Sequence, residues 1–435
     1  MKRRLWKVLL GVALLGLVAF VVVTWRLAIR PIQGPPPGGF STELVSRGER
    51  LAAVGHCVSC HTRPGGPPYA GGYAINTPFG IIYGTNITPE PDTGIGRWSL
   101  EAFTRAMREG VRQDGSHLFP AFPYWAFTQL TDADVAALYA FCMTRPAVKA
   151  TVPASTLPFP LSIRALQAGW KLLFFRPERF RPDPTKSEEW NRGAYLAEAL
   201  GDCSGCHSPR NALGGDEPRR RYAGNLIDGW IAPALTNVNP SPVPWTTDEL
   251  FAYLRTGSSP LHGATAATMT QAIRNALDLP VVPDSDVRAI AVYFSDLAQT
   301  ANVPAGRIES LTRTALATSL LGFEDEDTGA VIYAGACLGC HSNTGPLPLA
   351  ARPELALNSA LTLSTPTNLI RVMLQGVGAN DGAPGLTMPA YASALSDAQI
   401  AAVAAYLRRT RTELPGWTDL EPQVAAARRA LASAH

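Results

Sequence analysis

Cys57-Val58-Ser59-Cys60-His61, Cys203-Ser204-Gly205-Cys206-His207 and Cys337-Leu338-Gly339-Cys340-His341 repeat one pattern along the chain. Two thiols three residues apart can add to the two vinyl groups of one haem. The next residue, an imidazole, then falls beneath the iron as its proximal ligand. Structural zinc fits poorly, because a tetrahedral site wants four ligands and each short turn offers two Cys and one His. A thioredoxin-like dithiol needs no following His, and all three copies have one. The reading is three haem c, held by Cys57 and Cys60, Cys203 and Cys206, and Cys337 and Cys340, with His61, His207 and His341 on the irons.

Of the seven cysteines, six lie in these motifs. The seventh, Cys142, follows the apolar run Ala136-Ala137-Leu138-Tyr139-Ala140-Phe141, where a thiol behaves as a small hydrophobe. No structural disulfide can be made from what remains.

The N-terminus reads Met1-Lys2-Arg3-Arg4, followed by apolar sequence from Val8 to Trp25. At about 18 residues this run is longer than a usual signal core and nearly spans a bilayer. No small-x-small cleavage site follows, and Trp6 and Trp25 stand where interfacial aromatics would. Residues 5–25 are therefore expected to be an uncleaved transmembrane signal-anchor, with a cleaved signal as the alternative. The basic end stays in the cytoplasm, which places the rest on the periplasmic side of a bacterial inner membrane. Haem c is attached after export in bacteria, so the two lines agree.

A formal net charge of +3 on 435 residues makes no electrostatic case for nucleic acid. The 38 Gly and 37 Pro imply loop-rich domains in which a large apolar cofactor supplies much of the core.

Aligning the three copies yields domain limits and further ligands. A short helix leads into each motif, through Arg47-Gly48, Arg192-Gly193 and Thr328-Gly329. Later helices end in glycine: Phe103 to Gly110, Leu250 to Gly257 and Leu369 to Gly376. A last helix closes each unit: Asp132 to Cys142, Asp284 to Phe294 and Asp397 to Leu407. Acidic first turns suit the helix dipole. The expected order is an anchor at 5–25, domains at 42–150, 188–300 and 323–412, a connector at 151–187, and a tail at 413–435.

Twelve residues beyond the repeat glycine stand Met269 and Met388, predicted as distal ligands of the second and third haems from loops. His262 competes for the second, seven residues out of place. In the first copy the same count lands on Phe122, within Phe119-Pro120-Ala121-Phe122-Pro123-Tyr124, and Phe cannot ligate iron. Met107, Met143, His117, water or an open site remain; Met107 is the first choice because its helix should face the distal side.

These small all-α units resemble class I cytochrome c domains, three in tandem. Gly84-Thr85-Asn86-Ile87-Thr88-Pro89, Thr93-Gly94-Ile95-Gly96-Arg97-Trp98-Ser99, Trp190-Asn191-Arg192-Gly193-Ala194-Tyr195-Leu196 and Cys206-His207-Ser208-Pro209-Arg210-Asn211 look like signatures of a family. Over residues 42–410 the chain resembles the tri-haem cytochrome c subunits of bacterial membrane-bound dehydrogenases. That resemblance implies a non-catalytic relay from a catalytic dehydrogenase subunit, through three haems, to membrane ubiquinone. A small iron–sulfur subunit and membrane lipid are further partners it brings. Phe122 and the N-terminal anchor look closer to the aldehyde dehydrogenase and molybdenum hydroxylase group than to quinoprotein alcohol dehydrogenases or flavin sugar and gluconate dehydrogenases. Two rivals are a haem enzyme with an open first iron and a membrane anchor with passive haems.

Two segments fall outside the repeats. The basic, aromatic stretch around Trp170-Lys171-Leu172-Leu173-Phe174-Phe175-Arg176 reads as a membrane-surface helix, a partner clamp or ordinary packing. The tail from Trp417 to His435 reads as a docking helix or a frayed end.

Overall fold

The computed structural model describes residues 6–7, 11, 16, 20, 24–34, 39–318, 327–341, 354–378 and 387–432. Most of the expected transmembrane segment 5–25 lies outside the described residues. Among those described, no helix is long and apolar enough to cross a membrane. The chain divides into two compact units. The first runs to Pro182 and takes in 198–202 and 212–215; the second holds 183–197, 203–211 and the chain from Asp216 onward. The connector therefore belongs almost wholly to the first unit, and the sequence expected as domains two and three falls mainly in the second.

In the first unit, helix Thr42–Val54 starts at Ser41, whose hydroxyl accepts from Leu44 N at 3.2 Å, and stops at Gly55. It crosses helix Asp132–Met143, which is capped by Thr131 and buried from Val135 to Met143 on all but one position. The crossing is close because residue 48 is glycine: a Cβ there would lie 2.0 Å from the Ala137 carbonyl oxygen. Beside it Arg47 pairs with the buried Asp134 at 2.7 Å. Helix Leu100–Glu109 begins at Ser99 and ends on Gly110, whose φ of 61° is the left-handed conformation that favours glycine. A hairpin pairs Ala74–Thr77 with Gly80–Tyr83.

The second unit contains that helix pair twice. Helix Glu188–Tyr195, extended by a π turn at Leu196–Leu200, crosses Asp284–Leu297, and a Cβ on Gly193 would meet the Ala289 oxygen at 1.9 Å. Arg192 grips Asp286 with two bonds of 2.8 Å. Helix Thr328–Ala336 crosses Asp397–Arg411, and there a Cβ on Gly329 would meet the Ala402 oxygen at 2.3 Å. Its ion pair is reversed in polarity, Asp327 with Arg409. Helices Thr247–Thr256 and Thr367–Gln375 end on Gly257 and Gly376, both at positive φ. Short strands Asn225–Ile227 and Trp230–Ala232 pair, as do Ser258–Ser259 and Gly263–Ala264.

Two features depart from the expectation, and a third chooses between its alternatives. The helical units carry small antiparallel hairpins. A helix at Ala305–Thr318 stands in sequence assigned to no domain. The tail forms helix Leu420–Ala432 and is packed: Val424 is fully buried, Ala427 and Leu431 lie against the core around Tyr406, and Arg428 bonds Asp397 and the Leu395 carbonyl. It is a docking helix within its own unit.

Candidate haem centres

Each Cys-x-x-Cys-His sits on one tight helical turn. Cys57–Cys60 follows His56 at φ 53°, and Cys203–His207 follows Asp202 at φ 43°. A non-glycine residue at positive φ is uncommon; here it ends the leading helix and restarts the chain in a new direction, so both thiols and the imidazole leave one turn. The third motif, on Leu338–His341, is reached through Cys337 at φ −120° instead.

The hairpins fix the imidazoles. His61 Nδ1 lies 2.6 Å from the carbonyl oxygen of Thr85, two residues past strand Gly80–Tyr83. His207 Nδ1 lies 2.7 Å from that of Pro233, the residue after strand Trp230–Ala232. A carbonyl only accepts, so each Nδ1 carries the proton and each Nε2 keeps its lone pair for a metal. Burial pushes both imidazoles below their usual pKa, opposed by the carbonyl bonds, which keeps them neutral at neutral pH. His341 ends its short helix, and the sequence that follows it, 342–353, is outside the described residues.

Thr85 is itself tied down. Asn86 donates to Thr93 Oγ1 at 3.0 Å and to the Val148 carbonyl at 2.7 Å, and accepts from Thr88. The Gly84-to-Ser99 signature thus presents one carbonyl to a histidine. Those carbonyls are the functional groups missed by sequence reasoning; the only signal was that such an elaborate motif follows the hairpin at all.

The residues fit haem c better than zinc or a dithiol. No disulfide joins the seven cysteines. Among the described residues, no three His, Cys, Asp or Glu side chains converge as they would around a metal ion. Burial raises the pKa of the Cys57 thiol to about 12, so without a cofactor it stays protonated. Aromatic walls stand beside the turn: Tyr69 meets Phe141 edge-on at 5.5 Å, and Tyr222 meets Phe294 in the same way at 5.2 Å. When bound, haem supplies a one-electron carrier whose potential follows ligand and burial. Cys142 is buried, as expected.

After the repeat glycine the first two copies share a register. Leu118 N donates to the Gly110 carbonyl at 2.7 Å, and Thr265 N to that of Gly257 at 2.8 Å. Phe122 and Met269 each stand four residues beyond that bond, Phe122 before helix Tyr124–Phe127 and Met269 within its own helix. Met269 lies in helix Ala267–Ala272 and not in the loop expected. In the third copy Val377 pairs with Met388 itself, where Val111 pairs with His117 and Ser258 with Ala264. Counting twelve from the glycine reaches Met388 across a longer loop, whose residues 379–386 are outside the described set. Met388 is partly buried against the core cluster around Met373 and Tyr406, as are Cys337 and Leu338.

The first copy's alternatives also separate. His117 has both ring nitrogens engaged: Lys171 Nζ donates to Nδ1 at 3.0 Å, and Nε2–H donates to the Thr24 carbonyl at 3.1 Å. Met107 is buried on helix Leu100–Glu109, at the repeat position filled by buried Leu254 and Met373, and Met143 is buried at the end of the closing helix. The Phe122 ring is partly buried and packs on Phe127 at 5.3 Å. In the second copy His262 stacks on Trp245 at 3.6 Å with its Nδ1 3.1 Å from Ser241 Oγ, and burial lowers its pKa to about 3.

Comparison with known proteins agrees with this arrangement. Residues 45–145 match the cytochrome c family, and residues 324–407 match cytochrome C oxidase, cbb3-type, subunit III. One of the nicotinate dehydrogenase subunits of Pseudomonas putida is 44% identical over 96% of this chain, which spans only 34% of that relative. The fructose dehydrogenase cytochrome subunit of Gluconobacter japonicus is 38% identical, covering 86% of this chain and 80% of its own. The gluconate 2-dehydrogenase cytochrome c subunit of Pantoea cypripedii is 36% identical, covering 84% and 85%. The chain belongs to the cytochrome c subunits of dehydrogenases.

Proposed function

We propose that this protein carries three haem c in three tandem class I domains, at 42–150, 188–300 and 323–412. In this reading it passes electrons from a catalytic dehydrogenase subunit to membrane ubiquinone on the periplasmic face of a bacterial inner membrane, anchored by residues 5–25. The observation that supports it most is the paired design of the first two sites, in which a hairpin carbonyl holds a buried neutral imidazole with Nε2 available. Such a site favours electron transfer over substrate chemistry once a sixth ligand is supplied. For that ligand we propose Met269 in the second copy, Met388 in the third and Met107 in the first. Met388→Leu is expected to lower one potential and remove one thioether-to-iron band; Met107→Ala is expected to turn one haem in three high-spin. Unchanged redox titrations and spectra would remove the residue concerned from the assignment.

For the partner we propose an enzyme that oxidises an aldehyde or an N-heterocycle, of the molybdenum-dependent kind, accompanied by a small iron–sulfur subunit. The similarity to a nicotinate dehydrogenase component supports that side of the family, as does Phe122. In the complex purified from its native membrane, anaerobic addition of nicotinate or an aldehyde should reduce the haems, and a ubiquinone analogue should reoxidise them. Reduction only by an alcohol, fructose or gluconate would overturn the partner class. Haems that stay reduced with quinone present would overturn the relay.

A further inference from the structure

The connector carries apolar surface that nothing in the first unit covers. Six large hydrophobic residues within a short stretch are exposed: Phe159 (81%), Leu161, Ile163, Leu166, Leu172 and Leu173 (62% each for the last two). Most other exposed apolar side chains stand singly, which is ordinary for a protein surface. Helix Gln167–Phe174 explains the outward display. Gln167 and Ala168 are buried, the Trp170 indole donates to the Leu213 carbonyl at 2.8 Å, and Lys171 turns inward to the Gly110 carbonyl at 2.8 Å. Positions 169, 172 and 173 then share the opposite face at helical spacing. A Cβ added at Gly169 would meet nothing within 4 Å, and Arg176 at the end of the stripe is exposed.

This face is fixed beside the end of the apolar N-terminal run. His117 is the joint. Lys171 and Arg164 of the connector bond its Nδ1 and its carbonyl, both at 3.0 Å, while its Nε2 holds the Thr24 carbonyl. Arg105 bonds the Leu27 carbonyl at 2.6 Å, and Ile29 N donates to the Gln113 carbonyl at 2.9 Å. Trp25 and Leu27 are themselves 68% and 75% exposed. Charge points the same way. Residues 159–182 hold Arg164, Arg176, Arg179 and Arg181, besides the inward Lys171, against Glu178 alone, and 24–32 hold Arg26 and Arg30 with no acid. Exposed apolar residues rimmed by cations suit an anionic bilayer surface, where apolar side chains sink below the headgroups and cations stay with the phosphates.

We propose that the face formed by Phe159, Leu166, Leu172 and Leu173 is an interfacial membrane contact that lays the first unit against the bilayer, separate from the N-terminal anchor. The proposal rests on the membrane location proposed above. Its test uses full-length holoprotein with Leu173→Cys carrying an environment-sensitive fluorophore; Cys142 is buried and the other six cysteines are taken by haem. In vesicles of phosphatidylethanolamine and phosphatidylglycerol, the emission should shift to the blue. Nitroxide lipids labelled near the headgroup should quench it several-fold more than those labelled at the midplane, as expected about 5–10 Å deep. Leu172→Glu with Leu173→Glu, both at exposed positions, should keep the haem spectrum and abolish the quenching of a label at Phe159→Cys. If the protein floats with vesicles but the Leu173→Cys label behaves as one at exposed Val238→Cys, the contact is overturned while the anchor stands. Failure to float overturns both. Burial of the label only in a lipid-free complex with the catalytic subunit would overturn it in favour of a protein occupant.

Discussion

Replacing Cys203 and Cys206 together by alanine is expected to yield a protein one haem lighter than wild type, in a complex that no longer reduces quinone. The turn Cys203–His207 would still form, because Asp202 at φ 43° and the Pro233 carbonyl on His207 set it without the thioethers. What is lost is the covalent tether and the apolar bulk that the cofactor would supply. A relay that needs all three carriers then stops at the missing one, and the partner should keep its activity with an artificial acceptor. Intact mass, the haem-to-protein ratio and quinone reduction by the purified complex check this together. A double variant that keeps three haems, or reduces quinone at the wild-type rate, would sink the assignment of the second motif to the relay.

The sequence disclosed its chemistry far better than its supports. Covalent attachment is legible because it demands fixed residue types at fixed spacing. The leading-helix glycines were also visible as a repeat, but their reason was not. Only the crossing geometry shows that Gly48, Gly193 and Gly329 each stand against a backbone carbonyl of the closing helix. Thr85 and Pro233 were illegible in principle, since they act through main-chain oxygen and any residue type could supply it. Counting from the repeat glycine carries Phe122 and Met269 through one hydrogen-bonded register, whereas Met388 is reached through a longer loop, because loop length is free to change where pairing is not. The helix that carries Met269 escaped notice for a related reason: Ala267 opens it at φ 51°, a start that no ordinary capping residue signals. The bonds of His117 were illegible because its partners, Thr24 and Lys171, lie far from it along the chain.

Gly193→Ala is expected to destabilise the second unit strongly, against the sign of helix propensity. Alanine in a helix interior is favoured over glycine by about 1 kcal/mol. At position 193 the new methyl would sit 1.9 Å from the Ala289 oxygen, 2.4 Å from its carbon and 3.0 Å from Ile290 N. These are backbone atoms of the crossing helix, so no side chain can swing away, and the two helices must part. Overpacking of a well-filled contact costs about 1–3 kcal/mol, and more where the backbone must move. Parting the helices also loosens Arg192 from Asp286, which is buried beneath their paired bonds. The clash therefore outweighs the propensity gain. Gly169→Ala supplies the opposite control, since its helix has open space at that position and only the favourable contribution of about 1 kcal/mol remains. In the holoprotein, urea unfolding followed by hydrogen exchange along Glu188–Tyr195 and Asp284–Leu297 should show early opening for Gly193→Ala and none for Gly169→Ala. Equal or greater protection in the Gly193 variant would mean that the close crossing does not hold this unit together.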